Sequence, residues 1–158
     1  MSTFRQALAA IGAATLARRP ALPAPVAPCP RLFRLLVAVA ALPSGDLYEV
    51  PLYLSLDECR GLVDDPEAAI PRAGALLELC RVPAGARPLP LDVVADKLLD
   101  AAAYVSDPET PYLILDALDV PVGRCSSLAG AFETAFAWAG REGRHTGVEP
   151  RRVVEVRS

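Results

Sequence analysis

The stretch Arg31 to Glu58, RLFRLLVAVAALPSGDLYEVPLYLSLDE, decides the fold class. It opens with an apolar run, Leu32 to Ala41, whose Leu36, Val37 and Val39 suit a buried strand, and the turn residues Pro43-Ser44-Gly45-Asp46 end it. Leu47 to Leu54 follows at hairpin distance and reads as a second strand. Pro51 lies inside it, and proline has no amide to give to a ladder, so this strand belongs at an edge or carries a bulge. Ser55-Leu56-Asp57-Glu58 is a capping box: the serine hydroxyl accepts from the third helical amide, and Glu58 accepts from the cap amide. A short helix to about Val63 begins there. Strand, strand and helix in this order indicate an α+β or α/β domain.

Downstream, Asp65-Pro66-Glu67 marks another helix start, which Pro71 limits to little more than a turn. Ala75 to Val82 is apolar and ends at Pro83-Ala84-Gly85, so it is assigned as a strand, with a helix as the alternative over so short a run. Pro90 opens a helix to about Tyr104. Leu91, Val94, Leu98, Ala101 and Val105 share one face of it, and Asp92, Asp96 and Asp100 form a stripe on the other. After the turn Asp107 to Pro111, Tyr112 to Leu118 is the most strand-like stretch and belongs near a sheet centre. Val120 to Ser126 reads as a loop. A helix from Ser127 to about Ala139 presents Leu128, Phe132, Ala135 and Ala139 and can terminate at Gly140. Arg152 to Arg157 is a last strand. The expected architecture is one α+β domain, residues 31–158, with a mixed sheet of about five strands packed by helices.

Upstream the character changes. Residues 20–30, PALPAPVAPCP, hold five prolines in eleven positions and favour an extended strap. Before it, residues 1–19 read as a basic amphipathic helix capped by Ser2, with Phe4, Leu8, Ile11 and Thr15 along one stripe. Residues 1–45 contain Arg5, Arg18, Arg19, Arg31 and Arg34 and no acid. The other residues carry 11 basic and 19 acidic groups, although the whole chain of 158 residues nets only −3. An acid-free, arginine-bearing start has the character of a mitochondrial transit peptide. It also suits a terminal helix that docks on its own domain, the reading preferred here.

Composition excludes several classes. Apolar residues make up 53% and charged residues 22%, which a disordered chain does not show. The apolar run Leu32 to Leu42 is about half of what a membrane-spanning helix needs, so a soluble, cytoplasmic protein with no membrane span is expected. The acidic body argues against general nucleic-acid binding, which needs positive charge against phosphates. Arg141, Arg144, Arg151, Arg152 and Arg157 are interleaved with Glu142, Glu149 and Glu155 and make no concentrated basic footprint. Cys29, Cys59, Cys80 and Cys125 include no C-x-x-C pair, which points to reduced thiols and away from a zinc site.

The candidates for chemistry are few. Cys125, beside Arg124 at the expected start of a helix, is placed where dipole and guanidinium favour a thiolate. The arginine six residues on that a phosphatase-type cysteine loop requires is replaced by Ala131. His145, the single imidazole, lies between Gly143 and Gly147, and a Cys125–His145 dyad spans one helix. Asp116 and Asp119 end the central strand, where carboxylates either serve ligands or hold the following loop. Asp92, Asp96 and Asp100 could meet a basic partner, and Arg5, Arg18 and Arg19 an acidic one. No glycine-rich phosphate loop, nucleophile elbow or H-E-x-x-H is present, and no cofactor or metal is implied by motif.

Arg31-Leu-Phe-Arg34, Val50-Pro-Leu-Tyr-Leu-Ser-Leu-Asp-Glu58 and Ala75-Leu-Leu-Glu-Leu-Cys-Arg-Val-Pro83 together resemble the strand and helix order of ADP-ribosyltransferase-like domains, including NAD-consuming RES-type toxins. The resemblance covers about a third of the chain. It implies that Arg34 holds dinucleotide phosphates and that Glu58 is the catalytic candidate. The Gly-Arg-Trp-Asn segment of RES-type proteins does not occur here. The leading expectation is a non-enzymatic protein-binding module, a small subunit or adaptor that joins a protein partner or its own copies, with the basic helix and strap as the exchangeable contact.

Overall fold

The structure, a computed structural model, describes residues 26–142 and 151–156. The expected N-terminal helix, His145 and most of the proline-rich strap lie outside the described residues. Strand β1 (Phe33–Ala41) and strand β2 (Leu47–Leu54) form the expected hairpin, and Ser55 and Glu58 form the expected capping box. Glu58 N donates to Ser55 Oγ at 3.1 Å, and Ser55 N donates to Glu58 Oε1 at 3.2 Å. Helix α1 (Leu56–Asp64) starts there and buries Cys59 and Leu62.

The strand expected at Ala75 to Val82 is helix α2 (Ala69–Leu79), preceded by a 3-10 turn at Pro66–Ala68. Pro71 falls in the first helical turn, where amides have no intrahelical acceptor, so it does not stop the helix. Ala69 and Ala73 are buried and Leu76 and Leu77 pack against the same core, a spacing that belongs to a helix. A two-residue strand β3 (Arg87–Pro88) leads to α3 (Leu91–Ser106), which buries Val94, Ala95, Leu98, Ala102 and Val105. Helices α1 and α2 pack on α3, and α3 packs on β1.

Strand β4 (Tyr112–Leu115) is central as expected, but the loop expected at Val120 to Ser126 contains β5 (Pro121–Cys125), paired antiparallel with β4. Pro121 occupies the first position of an edge strand, where its missing amide leaves no ladder bond unmade. Helix α4 (Leu128–Glu142) runs past Gly140, and β6 (Arg152–Glu155) closes on the other side of β4. Ser127 Oγ accepts from the Gly130 amide at 3.1 Å at the start of α4.

The single mixed sheet of about five strands is replaced by two three-stranded antiparallel sheets, ordered β2-β1-β3 and β5-β4-β6. Tight turns join β1 to β2 and β4 to β5, so each pair is antiparallel, and β3 and β6 also run against their neighbours. The far side of β1 is shared: β3 takes Ala40 and Ala41, while the Arg34 amide donates to Asp119 O at 3.1 Å. One carbonyl thus joins the sheets where a continuous ladder was expected. Of the strap, Ala27 is bridged parallel to Val154, its amide donating to Val153 O at 2.9 Å.

Alternation along β4 and β6 divides the interior. Leu113, Leu115 and Val154 join the main core with Phe33, Leu35 and Leu98. Ile114 and Val153 point the other way, to Ala131 and Ala135 of α4. Among the described residues, no helix is long and apolar enough to cross a membrane.

Candidate functional site

Two surface features stand out, and both follow from the layering. Phe33, Leu35 and Val37 send their side chains into the main core under the helices, so the alternate residues of β1 face away from it. The register sets Arg34 opposite Tyr53, Leu36 opposite Pro51 and Ala38 opposite Glu49. Leu36 is 42% exposed and Tyr53 is 54% exposed. On this face Glu49, Pro51 and Tyr53 of β2 are exposed, while Ala38 of β1 is buried. Arg34 Nε is buried there without a hydrogen-bond partner.

Pro51 does for this hairpin what its position in the sequence suggests. Amide and carbonyl of a strand residue point the same way, and the Arg34 amide points away from β2 to Asp119. Arg34, Leu36 and Ala38 therefore do not bond to β2, and the Pro51 nitrogen, opposite Leu36, faces the free edge. The proline loses no ladder bond and removes a donor that another strand could pair with. The face is open while the edge is blunted.

The second feature is a series of clefts along α3. The first, about 720 Å³, lies between Arg60 and Asp64 of α1, Ser106 at the end of α3, Glu109 and Val156. The next, about 400 Å³, shares Val63, Ser106 and Pro108 with it and adds Asp100, Tyr104 and Arg124. A third, about 400 Å³, shares Asp100 and Tyr104 and reaches Lys97, Leu36 and Pro121. Shared walls make them one furrow. Arg60 Nη2 donates to Val156 O at 3.1 Å. Arg124 pairs with Asp107 at 3.3 Å and stacks 4.5 Å over the Tyr104 ring. Desolvation raises the Tyr104 phenol, against the pull of Arg124. The Asp107 carboxyl is lowered, first by the Glu109 amide and then by Thr110. Asp64, Asp100 and Glu109 are exposed and have no ion pair among the described residues.

The candidates for catalysis are not gathered into either feature. Cys125 does not start a helix: it ends β5 opposite Tyr112, with Sγ 4.0 Å from Thr134 Oγ1 of α4. Strand alternation turns Arg124 to the other face, toward Asp107 and Tyr104. Glu58 is held in the capping box and paired with Arg72, and the Arg72 hydrogen bond is the first cause of its lowered pKa. Arg34 faces away from the helical layer that contains Glu58, so the two are not brought together. Asp92, Asp96 and Asp100 all lie exposed on α3, and of the three only Asp100 lines the furrow. Arg5, Arg18, Arg19 and His145 lie outside the described residues.

Asp116 and Asp119 organise the β4–β5 turn. Asp116 Oδ1 accepts from the Leu118 and Val120 amides at 2.8 and 3.0 Å. Asp119 has a φ of 64°, a left-handed conformation that aspartate tolerates better than most side chains, and it pairs with Arg152. Cys59 is fully buried, and desolvation pushes its thiol up to about 12. Among the described residues no group of three or more His, Cys, Asp or Glu is placed to hold a metal ion.

Compared with family models, curated proteins and solved structures, the chain matches none. The open face was within reach of sequence reading: in Leu47 to Leu54, Tyr48, Val50, Leu52 and Leu54 alternate with Glu49, Pro51 and Tyr53. The furrow was not, because Asp64, Asp100 and Glu109 come from three separate segments.

Proposed function

We propose that the chain is a protein-binding module, a small subunit or adaptor of a larger assembly, and that it engages its partner through the open face of the β1–β2 hairpin. The observation that carries this reading is the one-sided packing of that sheet, with Leu36, Pro51 and Tyr53 standing outward around Arg34. Tyrosine and arginine are the residue types that most often dominate binding energy at interfaces, above all when a rim of neighbours excludes water. The positive charge of half-buried Arg34 beside these apolar groups defines the complement: an apolar knob beside a carboxylate.

Recovery of partners by the full chain from its native source, with quantitative mass spectrometry, tests the reading. Leu36→Asp and Tyr53→Ala are expected to reduce recovery of the bound protein at least about tenfold, since losing an interface anchor costs about 2 kcal/mol or more. Asp57→Asn, on the exposed side of α1, should leave recovery unchanged. Undiminished recovery with both hairpin variants, each shown folded by circular dichroism, overturns the proposal.

A further inference from the structure

We infer that the furrow along α3 is the seat of the chain's own N-terminal segment, residues 1–25, held there through its arginines by Asp64, Asp100 and Glu109. Three observations lead to this occupant. The first is charge: residues 1–25 contain Arg5, Arg18 and Arg19 and no acid, while the unpaired groups along most of the furrow are carboxylates. Of the lining cations, Arg124 is paired with Asp107, Arg60 donates to Val156 O and keeps its charge, and Lys97 stands in the third cleft, against the three carboxylates Asp64, Asp100 and Glu109. The open hairpin face offers Arg34, which repels an arginine-bearing segment.

The second observation is the tether. Ala27 is fixed to β6 beside Val154, and Val156 of the same segment lines the first cleft. The charge of Arg60, another lining residue, is felt at Cys29. The bridge is parallel, so Val26 lies toward the Arg152 end of β6 while the strap after Ala27 passes Val156 and Arg60, and the segment leaves the body one β6 length from the first cleft. Such a tether gives an effective concentration on the order of millimolar, which an untethered basic peptide has to overcome. The third is length. Residues 20–25, extended at about 3.1 Å each, reach about 19 Å. The helix that the sequence predicts up to Arg18 would measure about 25 Å, close to the about 24 Å of α3. Phe4, Leu8 and Ile11 supply an apolar stripe for Val63 and the Tyr104 ring.

Photo-crosslinking of the full chain tests this seat without any partner, so its result is independent of the hairpin proposal. Benzoylphenylalanine replaces Phe4 or, in a second protein, Leu8, and equal parts of ¹⁴N and ¹⁵N chains are irradiated together and digested with trypsin. Crosslinks within one chain to the peptides Gly61–Arg72 and Leu98–Arg124 are expected. Combining Asp64→Asn, Asp100→Asn and Glu109→Gln should lower their yield about threefold or more, the scale of a few exposed ion pairs. Asp92→Asn with Asp96→Asn, outside the furrow, should leave the yield unchanged. Crosslinks localised by fragmentation to Leu47–Tyr53 of the hairpin, crosslinks joining light to heavy chains, no crosslink from either position, or a yield indifferent to the triple variant each overturn the inference.

Discussion

Each of the two sheets of this protein has three strands, and they carry different burdens. In β4 three successive residues, Leu113, Ile114 and Leu115, are buried, because the main core lies on one side and α4 on the other. In β2 buried and exposed positions alternate, because helices cover one side and nothing described covers the other. A sheet buried on both faces reads as a continuous apolar run, and a sheet with one free face reads as alternation. The difference separates the part of the chain that secures stability from the part free to meet other molecules. It also assigns the blunting proline to the sheet whose edge strand accompanies an open face.

Adjacent truncations give the largest effects and the sharpest way to break this comparison. In β1, Leu35→Ala should cost about 2–5 kcal/mol in urea unfolding, and its neighbour Leu36→Ala no more than about 0.5 kcal/mol. In β4, the neighbours Leu113→Ala and Ile114→Ala should both cost about 2–5 kcal/mol. A loss above about 1 kcal/mol for Leu36→Ala would show that the hairpin face is covered after all.

The same contrast explains how much of the fold was legible. The hairpin, the capping box and α3 follow from local rules, because turn residues, an internal proline and a Ser-x-x-Glu pattern act within a few positions of themselves. The α2 helix is not legible locally, because the effect of Pro71 depends on whether it falls in the first helical turn. β5 was missed because Pro121, Gly123 and Arg124 have poor strand character, and pairing with β4 outweighs propensity. The division into two sheets could not be read locally, since it depends on how β3 and the Asp119 carbonyl share the far side of β1. Of the candidate residues, Arg34 was found for a different role, and Glu58 had already been read as part of a cap. The acids of the furrow come together only through tertiary packing.

An intermediate effect is expected where the sheets meet. Asp116 accepts two amides in the β4–β5 turn and so holds Asp119, whose carbonyl takes the Arg34 amide. Asp116→Ala should cost about 1–3 kcal/mol, the usual result of leaving turn amides without acceptors. It should also speed hydrogen exchange at the Arg34 amide more than at the Val37 amide, which lies between β1 and β2. Equal acceleration at both would mean that the turn supports the hairpin as a whole, and that the sheets are not joined chiefly through that one carbonyl.

The smallest effects belong to the corner where the open hairpin gives way to the helical layer. Ser55→Ala removes the acceptor for the Glu58 amide and should cost about 1 kcal/mol at any pH where the protein is folded. Glu58→Gln keeps an oxygen for the Ser55 amide and removes only the charge facing Arg72. The pKa of Glu58 is lowered in the fold from an ordinary value of 4.5, first by the Arg72 hydrogen bond and next by the Ser55 amide. As pH falls, the unfolded chain takes up this proton before the folded chain does. The stabilisation is therefore complete well above pH 4.5, declines below it, and is gone once pH has passed the folded-state value. Both partners are more than one-third exposed, so solvent screening keeps the effect small. Chemical denaturation at neutral pH should rank Glu58→Gln slightly below the unaltered chain, and the gap should close through the acid range. A gap that stays constant with pH would show that the carboxylate acts at this corner through its shape as a cap and not through its charge.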